Sequence, residues 1–396
     1  MMPYQIKAAC LLAVLMLFAS LTLAQDAADH DIDSLVIVNI IETELPGGPV
    51  GTSGFLSPDG SLLMHTGDRS FCFYSVPDLE QLRCTPHPED RNPLPDSIVW
   101  SPDSRYLAFM DFDFIRTFRD SDIWIIDSTN GRMTNLTEDN SFETPVLRPI
   151  EGPVPNLDIE PRWLDNTTIA FIRYDYDEEL LPAAIYSVSV EGGEPALVRD
   201  IPESNGRLDV YIMDWLAGQD QYIFNRANRG DSEYYGLLFA NGDQPLVPML
   251  EDTEPDGLAA MTYMMALAPS AVQVLVYDGR RLGRRDISTT PDASAAVVID
   301  VNTQETILID PERVVWEAGW APDGVGMVYT VVSLEDEDTQ GLYLTSGAGE
   351  PGRLILQGRF GGSTSLSRQP IRWASNNTIL VRNESFHLAL VELGTE

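Results

Sequence analysis

The sequence predicts an all-β protein, a seven-bladed β-propeller built from four-stranded antiparallel blades. Two observations lead to this prediction. First, an apolar or tryptophan residue precedes a short turn at seven places, at intervals of 44 to 63 residues. These residues are Leu56, Trp100, Trp163, Trp215, Leu267, Trp320 and Trp373. Second, β-rich segments flank each turn on both sides, so one repeat corresponds to one supersecondary unit.

The clearest repeat lies between residues 98 and 137. Ile98-Val99-Trp100 predicts a first strand, and Ser101-Pro102-Asp103-Ser104 predicts a turn with proline at its second position, where the fixed φ of proline is wanted. Residues 106–109 and 122–127 predict the next two strands, and residues 132–136 predict a fourth. Four antiparallel strands joined by tight turns make one propeller blade.

The same turn recurs in two other repeats, as Leu56-Ser57-Pro58-Asp59-Gly60 and Trp320-Ala321-Pro322-Asp323-Gly324. These residues resemble the WD40-like repeat of TolB-type periplasmic proteins and the propeller domains of prolyl-oligopeptidase-type enzymes. The resemblance implies a propeller fold and no particular activity. Since the chain has no Gly-x-Ser-x-Gly motif, the peptidase activity of the second group is not expected here.

A strand at the start of the chain is expected to close the ring. The last repeat supplies only three strands, whereas residues 34–41 form a strong β segment that belongs to no hairpin of its own. We therefore predict that this segment is the outermost strand of the seventh blade, which removes an open sheet edge. The alternatives are eight blades or an open array.

The N-terminus has the pattern of a secretory signal. Lys7 precedes a nearly unbroken apolar run over residues 8–23, and Ala24 offers a small residue at a cleavage position. We predict a signal peptide at 1–24, a flexible segment at 25–33 and one propeller domain at 34–396, in an exported protein that is periplasmic or extracellular. An uncleaved membrane anchor is the alternative, and no later segment is apolar enough to insert stably in a membrane.

The composition excludes some partners. The formal net charge is −36, and Lys7 is the only lysine among 25 basic residues. Such a chain lacks the basic surface that nucleic acid or an anionic membrane requires. The charge favours solubility, a cationic partner, divalent ions or a salty environment, and we expect a monomer.

Two cysteines, Cys72 and Cys84, remain beyond the signal segment. In an exported protein such a pair is typically a disulfide, and the spacing fits two strands of a hairpin. No CxxC motif or cluster of histidine and cysteine supports a zinc site.

The candidate binding residues lie in loops on one face. The connections between second and third strands carry the long insertions, and binding residues are usually found on such loops. We assign partner binding to a basic patch and three acidic loops: Arg280, Arg281, Arg284, Arg285, Asp111, Asp113, Asp175, Asp177, Glu335 and Asp336. No run matches the twelve-residue calcium loop, so we expect no cofactor, calcium being the only ion these acidic loops suggest, and we assign no metal ligands.

The recurring tryptophans are expected to pack between adjacent blades, whereas Trp124 and Trp316 lie off the repeat register and are better candidates for a specific role. The predicted function is that of a non-catalytic scaffold that binds a protein or peptide of the cell envelope or extracellular space through the loop-rich face. The alternative is a propeller enzyme, a lyase or hydrolase of glycans or small molecules, with carboxylates at the channel mouth.

Overall fold

A computed structural model describes the chain in segments. The described residues are 32–47, 53–67, 69–88, 91–112, 121–138, 156–174, 183–201, 210–216, 221–226, 236–241, 247–248, 262–269, 273–278, 294–331, 333, 336–362 and 371–395. The predicted signal peptide lies outside them.

The strands are numbered in chain order. Strand β1 (Leu35–Pro46) comes first. Sheet 1 contains β2 (Ser53–Leu56), β3 (Leu62–Gly67), β4 (Ser70–Ser75) and β5 (Gln81–Pro86). Sheet 2 contains β6 (Asn92–Pro93), β7 (Val99–Trp100), β8 (Tyr106–Phe112), β9 (Ile123–Asp127) and β10 (Met133–Asn135). Sheet 3 contains β11 (Leu157–Trp163), β12 (Thr168–Tyr174), β13 (Ala183–Ser189) and β14 (Ala196–Asp200).

The second half of the chain continues in the same way. Sheet 4 contains β15 (Val210–Leu216), β16 (Gln221–Arg226), β17 (Gly236–Asn241) and β18 (Val247–Pro248). Sheet 5 contains β19 (Thr262–Leu267), β20 (Gln273–Asp278), β21 (Ala296–Asp300) and β22 (Thr306–Leu308). Sheet 6 contains β23 (Val315–Trp320), β24 (Met327–Val331), β25 (Gly341–Thr345) and β26 (Arg353–Gln357). Sheet 7 contains β27 (Arg372–Trp373), β28 (Thr378–Arg382) and β29 (His387–Thr395), together with β1. Short 3₁₀ helices lie at Ile32–Ser34, Pro95–Ser97 and Glu337–Thr339.

The prediction of seven four-stranded blades is wrong in the number of four-stranded blades. The fold is an all-β propeller with six four-stranded antiparallel blades, whereas sheet 2 has five strands, in the order β10-β9-β8-β6 with β7 also paired to β8. The cause is local. Strand β7 pairs only with Leu107 and Ala108, and β6 pairs separately with Asp111 and Phe112. Pro95 lies between β6 and β7 and has no backbone N–H to continue a ladder.

The strand at the start of the chain pairs as predicted. Strand β1 lies antiparallel to β29, with Leu35 opposite Thr395 and Ile41 opposite Leu390, so the order in sheet 7 is β1-β29-β28-β27. Sheet 7 in turn packs against sheet 1, where Leu56 and Leu63 share a buried cluster with Leu380. The two ends of the described chain therefore meet, and the first strands of successive sheets form the inner ring of the propeller.

The repeated turn and tryptophan have structural roles. In two turns the serine hydroxyl accepts the N–H of the next strand, from Leu62 to Ser57 and from Tyr106 to Ser101, at 3.0 and 2.8 Å. Three tryptophans donate the indole N–H to a carbonyl on the inner strand of another sheet: Trp100 to Phe55, Trp163 to Val99 and Trp320 to Ala266, at 3.0 to 3.1 Å. For these three residues, the interpretation as packing between blades is confirmed.

Candidate functional site

Most of the predicted binding residues lie outside the described residues. These are Arg280, Arg281, Arg284, Arg285, Asp113, Asp175, Asp177 and Glu335. The two that are described differ from each other. Asp336 is exposed and accepts the backbone N–H of Asp338 at the start of a 3₁₀ helix, whereas the side chain of Asp111 is fully buried.

Asp111 belongs to a polar cluster that ties loops of the propeller together. Its Oδ1 accepts the backbone N–H of Asp122 at 2.8 Å, and its Oδ2 accepts the indole N–H of Trp124 at 2.9 Å. Arg91 lies 3.3 Å from Asp111 and 3.6 Å from Asp122. Asn135 donates to Asp122 at 2.8 Å. We call these five residues the Asp111 cluster. Its buried contacts connect segments of the loop-bearing face, and they give Trp124 a structural role.

The predicted disulfide is present. Cys72 on β4 and Cys84 on β5 are directly opposite in the antiparallel ladder and are joined by an S–S bond of 2.02 Å. Disulfides are typical of oxidising compartments outside the cytosol. Within the part of the chain that the structure describes, no helix has the length and apolarity to span a membrane. The disulfide is consistent with an exported protein.

A cavity of about 540 Å³ opens between sheets 6 and 7. It lies at the end of the propeller where β28 joins β29, which is the predicted loop-bearing face. The lining residues come from the start of β23, the link between sheets 6 and 7, and the β28–β29 turn: Trp316, Glu317, Arg359, Phe360, Gly361, Arg382, Asn383, Glu384, Ser385 and Phe386. We call this cavity the 6–7 pocket.

The rim of the 6–7 pocket presents an aromatic ring to solvent. Phe386 is 59% exposed, with the Arg382 guanidinium 5.2 Å from its ring centroid. Asn383 holds the turn, because its Oδ1 accepts the backbone N–H groups of Ser385 and His387 at 3.1 and 3.0 Å. Phe386 itself has a φ of 62°, in the left-handed region that bulky residues rarely adopt.

The floor of the 6–7 pocket contains a carboxylate, Glu317, and a guanidinium, Arg382. Burial raises the pKa of Glu317, while the Gly362 N–H, which donates to Oε2 at 2.5 Å, and the charge of Arg382 act in the opposite direction. Gly361 lies close to both groups, since an added Cβ would lie 2.8 Å from Nη2 of Arg382 and 3.1 Å from Oε2 of Glu317. Glu317 and Arg382 thus lie in the same pocket as the aromatic residues Trp316, Phe360 and Phe386.

The inner strands carry a second group of charges. One residue before each repeated apolar residue, the seven repeats have Phe55, Val99, Arg162, Asp214, Ala266, Gly319 and Arg372. Nε of Arg162 lies 3.6 Å from Oδ1 of Asp214, and Nη2 lies 3.4 Å from Oε2 of Glu160. Burial lowers the pKa of Arg162 to about 10, partly offset by Asp214. Burial also lowers the pKa of Arg372 to about 10, and the charge of Arg162 acts in the same direction.

Arg162 and Arg372 lie on the first strands of two different sheets. Their strands, β11 and β27, belong to sheets 3 and 7, which are not neighbours in the ring. The charges of Arg162 and Asp214 nevertheless both act on the pKa of Arg372, the first lowering it and the second raising it. Both arginines remain positively charged at neutral pH, because each pKa lies well above 7.

The described residues contain no group of three or more histidine, cysteine, aspartate or glutamate residues able to hold a metal ion. The acidic loops at Asp113, Asp175 and Glu335 lie outside those residues. The expectation that the chain needs no cofactor, with calcium as the only ion these loops suggest, stays a prediction.

Comparisons with known proteins support the fold. No family model and no curated protein matches the chain. Among solved structures, an oligogalacturonate lyase in complex with manganese is similar over 91% of this chain and 97% of its own, with 11% identity and a TM-score of 0.55. An oligogalacturonate lyase from Vibrio parahaemolyticus covers 90% of this chain and 97% of its own, with 12% identity and a TM-score of 0.54. Hydrazine synthase from Kuenenia stuttgartiensis covers 90% of this chain and 98% of its own, with 12% identity and a TM-score of 0.51. At such identities the likeness shows a β-propeller and nothing finer, so the TolB-type resemblance stays a prediction.

The 6–7 pocket was missed by reasoning from sequence, although one signal pointed to it. Trp316 lies off the repeat register, and it lines the pocket. Phe386 and Arg382 gave no signal, because the turn Asn383-Glu384-Ser385 has the composition of an ordinary polar hairpin.

Proposed function

We propose that this chain is an exported, non-catalytic propeller that binds a protein or peptide through its loop-rich face, with the 6–7 pocket as the anchoring site. The observation that carries the proposal is the exposed ring of Phe386 at the rim of a cavity of about 540 Å³. Aromatic residues and arginine are enriched at protein–protein interfaces relative to the rest of the surface. The disulfide supports export to the cell envelope or the extracellular space.

The chemistry of the 6–7 pocket favours a particular peptide. Trp316, Phe360 and Phe386 offer apolar surface for a large side chain. Arg359 is exposed and Arg382 partly exposed, so acidic groups of a partner can pair with them at the rim. We therefore expect a peptide that carries an aromatic or large aliphatic residue next to an acidic one.

Panning a random peptide display library on the full chain tests this proposal. We expect the enriched peptides to share this pairing, and Phe386→Ser to weaken their affinity by about 30-fold, as expected for truncation of a hot-spot aromatic worth ~2 kcal/mol. Arg359→Glu should weaken acidic peptides selectively. Affinities would be measured by titration calorimetry.

A matched control uses an exposed apolar residue of the opposite face. Val325, 53% exposed, follows the turn between β23 and β24. Val325→Ser should leave peptide affinity unchanged. Equal affinities for wild type and Phe386→Ser, or the absence of any enriched peptide, would contradict the proposal.

A catalytic alternative has one specific observation in its favour. Glu160 and Glu317 are equivalent residues, each three positions before a repeated tryptophan on an inner strand, and burial raises the pKa of Glu317. Against it, Glu317 already accepts the Gly362 N–H and Glu160 lies beside Arg162. Binding without catalysis therefore has the stronger support.

A further inference from the structure

We propose that the 6–7 pocket takes a lysine or arginine side chain of the partner peptide, with the cationic group against Glu317 and the apolar stem against Trp316. This inference rests on the function proposed above, because it names a further residue of the peptide that the pocket binds. Three observations carry it: a carboxylate inside the cavity, an aromatic residue placed beside that carboxylate by a β-bulge, and the charges around the cavity.

Glu317 brings a half-buried carboxylate to the lining of the cavity of about 540 Å³. Its Oε2 accepts the backbone N–H of Gly362 at 2.5 Å. Within the described residues no donor reaches the other oxygen, Oε1, and that oxygen is not sealed from solvent. A carboxylate has about four acceptor sites, and withdrawing it from water is costly unless they are used. Glu317 can therefore accept further donors from a ligand in the cavity.

The arginine of the same pocket does not take the place of such a ligand. The Arg382 guanidinium lies over the ring of Phe386, 5.2 Å from its centroid. In the described part of the chain, no ion pair within 4.0 Å joins Arg382 to Glu317. The backbone of Gly361, bonded to that of Arg382 at 2.9 and 2.7 Å, lies close to both side chains. The carboxylate thus remains available to a cation from outside.

A β-bulge places an aromatic residue beside the carboxylate. Consecutive side chains of a regular strand point to opposite faces of a sheet. The register of β23 against β24 shifts between Val315 and Glu317, so Trp316 is the extra residue, and both Trp316 and Glu317 line the cavity. Lysine and arginine combine an apolar stem with a charged head, and tryptophan is the aromatic residue that attracts a cation most strongly. The pair therefore matches both parts of a basic side chain.

The charges around the cavity favour a peptide that carries both signs. The lining contains two basic residues, Arg359 and Arg382, and two acidic ones, Glu317 and Glu384. An acidic residue of the peptide can pair with Arg359 at the rim while a basic one reaches Glu317. The chain as a whole has a formal net charge of −36, which attracts cationic segments.

Three capped peptides test the inference on the full chain by titration calorimetry. They are acetyl-Lys-Phe-Asp-amide, acetyl-Arg-Phe-Asp-amide and acetyl-norleucine-Phe-Asp-amide, and each is also made with its first residue moved to the end. Norleucine keeps the stem of lysine and lacks the charge. In one of the two orders we expect a basic peptide to bind roughly tenfold more tightly than its norleucine analogue, as for a hydrogen bond to a charged group. A preference for lysine alone or arginine alone would identify the side chain.

Variants show whether the preference belongs to Glu317. Glu317→Gln should abolish it, since the amide oxygen can still accept the Gly362 N–H but has no charge. The matched control is Glu337→Gln, which removes an exposed carboxylate outside the cavity and should keep the full preference. Glu384→Gln should reduce it less than Glu317→Gln does, because the charge of Glu384 is exposed and screened. Phe386→Ser should weaken all peptides together and leave their ratio unchanged.

If Glu317→Gln fails to fold, wild type decides through pH. Burial raises the pKa of Glu317, so part of this carboxylate takes up a proton between pH 7 and pH 4.5, and the preference should fall. The aspartate of the peptides is common to all and cancels in the ratio of affinities.

The outcomes separate this inference from the proposed function. Equal affinities of the basic and norleucine peptides in wild type, or a preference that survives in Glu317→Gln, would overturn the inference and leave the proposed function standing. Absence of binding by all peptides would contradict the proposed function and the inference that rests on it.

Discussion

Two charged regions of the loop-bearing face differ in what their charges contact. In the Asp111 cluster, carboxylates and an arginine contact one another and an indole, and the Asp111 side chain is 0% exposed. In the 6–7 pocket, Arg359 and Phe386 face solvent, and Glu317 and Arg382 are half-buried. Acidic loop residues can thus serve the architecture, whereas the exposed arginine and aromatic residues are the ones available to a partner.

The largest expected effect comes from removing the central carboxylate of the Asp111 cluster. Asp111→Ala leaves Arg91 and the Trp124 indole without their shared acceptor inside the fold. We expect the free energy of unfolding to fall by about 3 to 5 kcal/mol, the usual cost of removing one member of a buried ion pair. Urea denaturation monitored by tryptophan fluorescence would measure it.

The matched control for Asp111→Ala is Glu337→Ala, which removes an exposed carboxylate near the same face. It should change the unfolding free energy by no more than ~0.5 kcal/mol. If the two variants were equally stable, Asp111 would not have the structural role assigned to it.

The same contrast shows what sequence could predict. The repeat, the turns, the disulfide and the pairing of β1 followed from local patterns, because spacing and turn chemistry are written in consecutive residues. The fifth strand of sheet 2 did not, because Asn92–Pro93 is too short to give a strand pattern. Asp111 was assigned to the surface since loop carboxylates are usually solvated, and its burial depends on Arg91 and Trp124 reaching the same point in space.

An intermediate effect is expected from His87, which lies in the segment between sheets 1 and 2. Its ring packs against Phe71 with centroids 4.6 Å apart. Burial, together with the charge of Arg69, lowers the pKa of His87 to about 4. Unfolding restores a pKa near 6.5, so the unfolded chain binds more protons between these values. The contribution of neutral His87 to stability is therefore complete above about pH 6.5 and is lost as the pH falls towards 4.

The variant His87→Phe keeps a ring against Phe71 and cannot titrate. Its unfolding free energy should fall less than that of wild type between pH 7 and pH 4.5, while the carboxylates titrate alike in both proteins. Urea denaturation at the two pH values would measure the difference. Identical losses in wild type and variant would show that His87 titrates normally.

The smallest effect is expected in the 6–7 pocket. There, one substitution is expected to be more stable than another at the same residue. Phe386 has a φ of 62°, and a bulky residue in this region costs about 1 to 2 kcal/mol. Asparagine tolerates the left-handed region better, whereas alanine does not. Phe386→Asn and Phe386→Ala both lose the contact with Arg382, so the difference between them reports how well each residue tolerates this backbone conformation. We expect Phe386→Asn to be more stable than Phe386→Ala by up to ~1 kcal/mol in urea denaturation, and both to lose peptide binding. If Phe386→Asn were the less stable of the two, the backbone at residue 386 would not be strained. A strained aromatic residue at this position could then no longer be explained as a stability cost retained for binding.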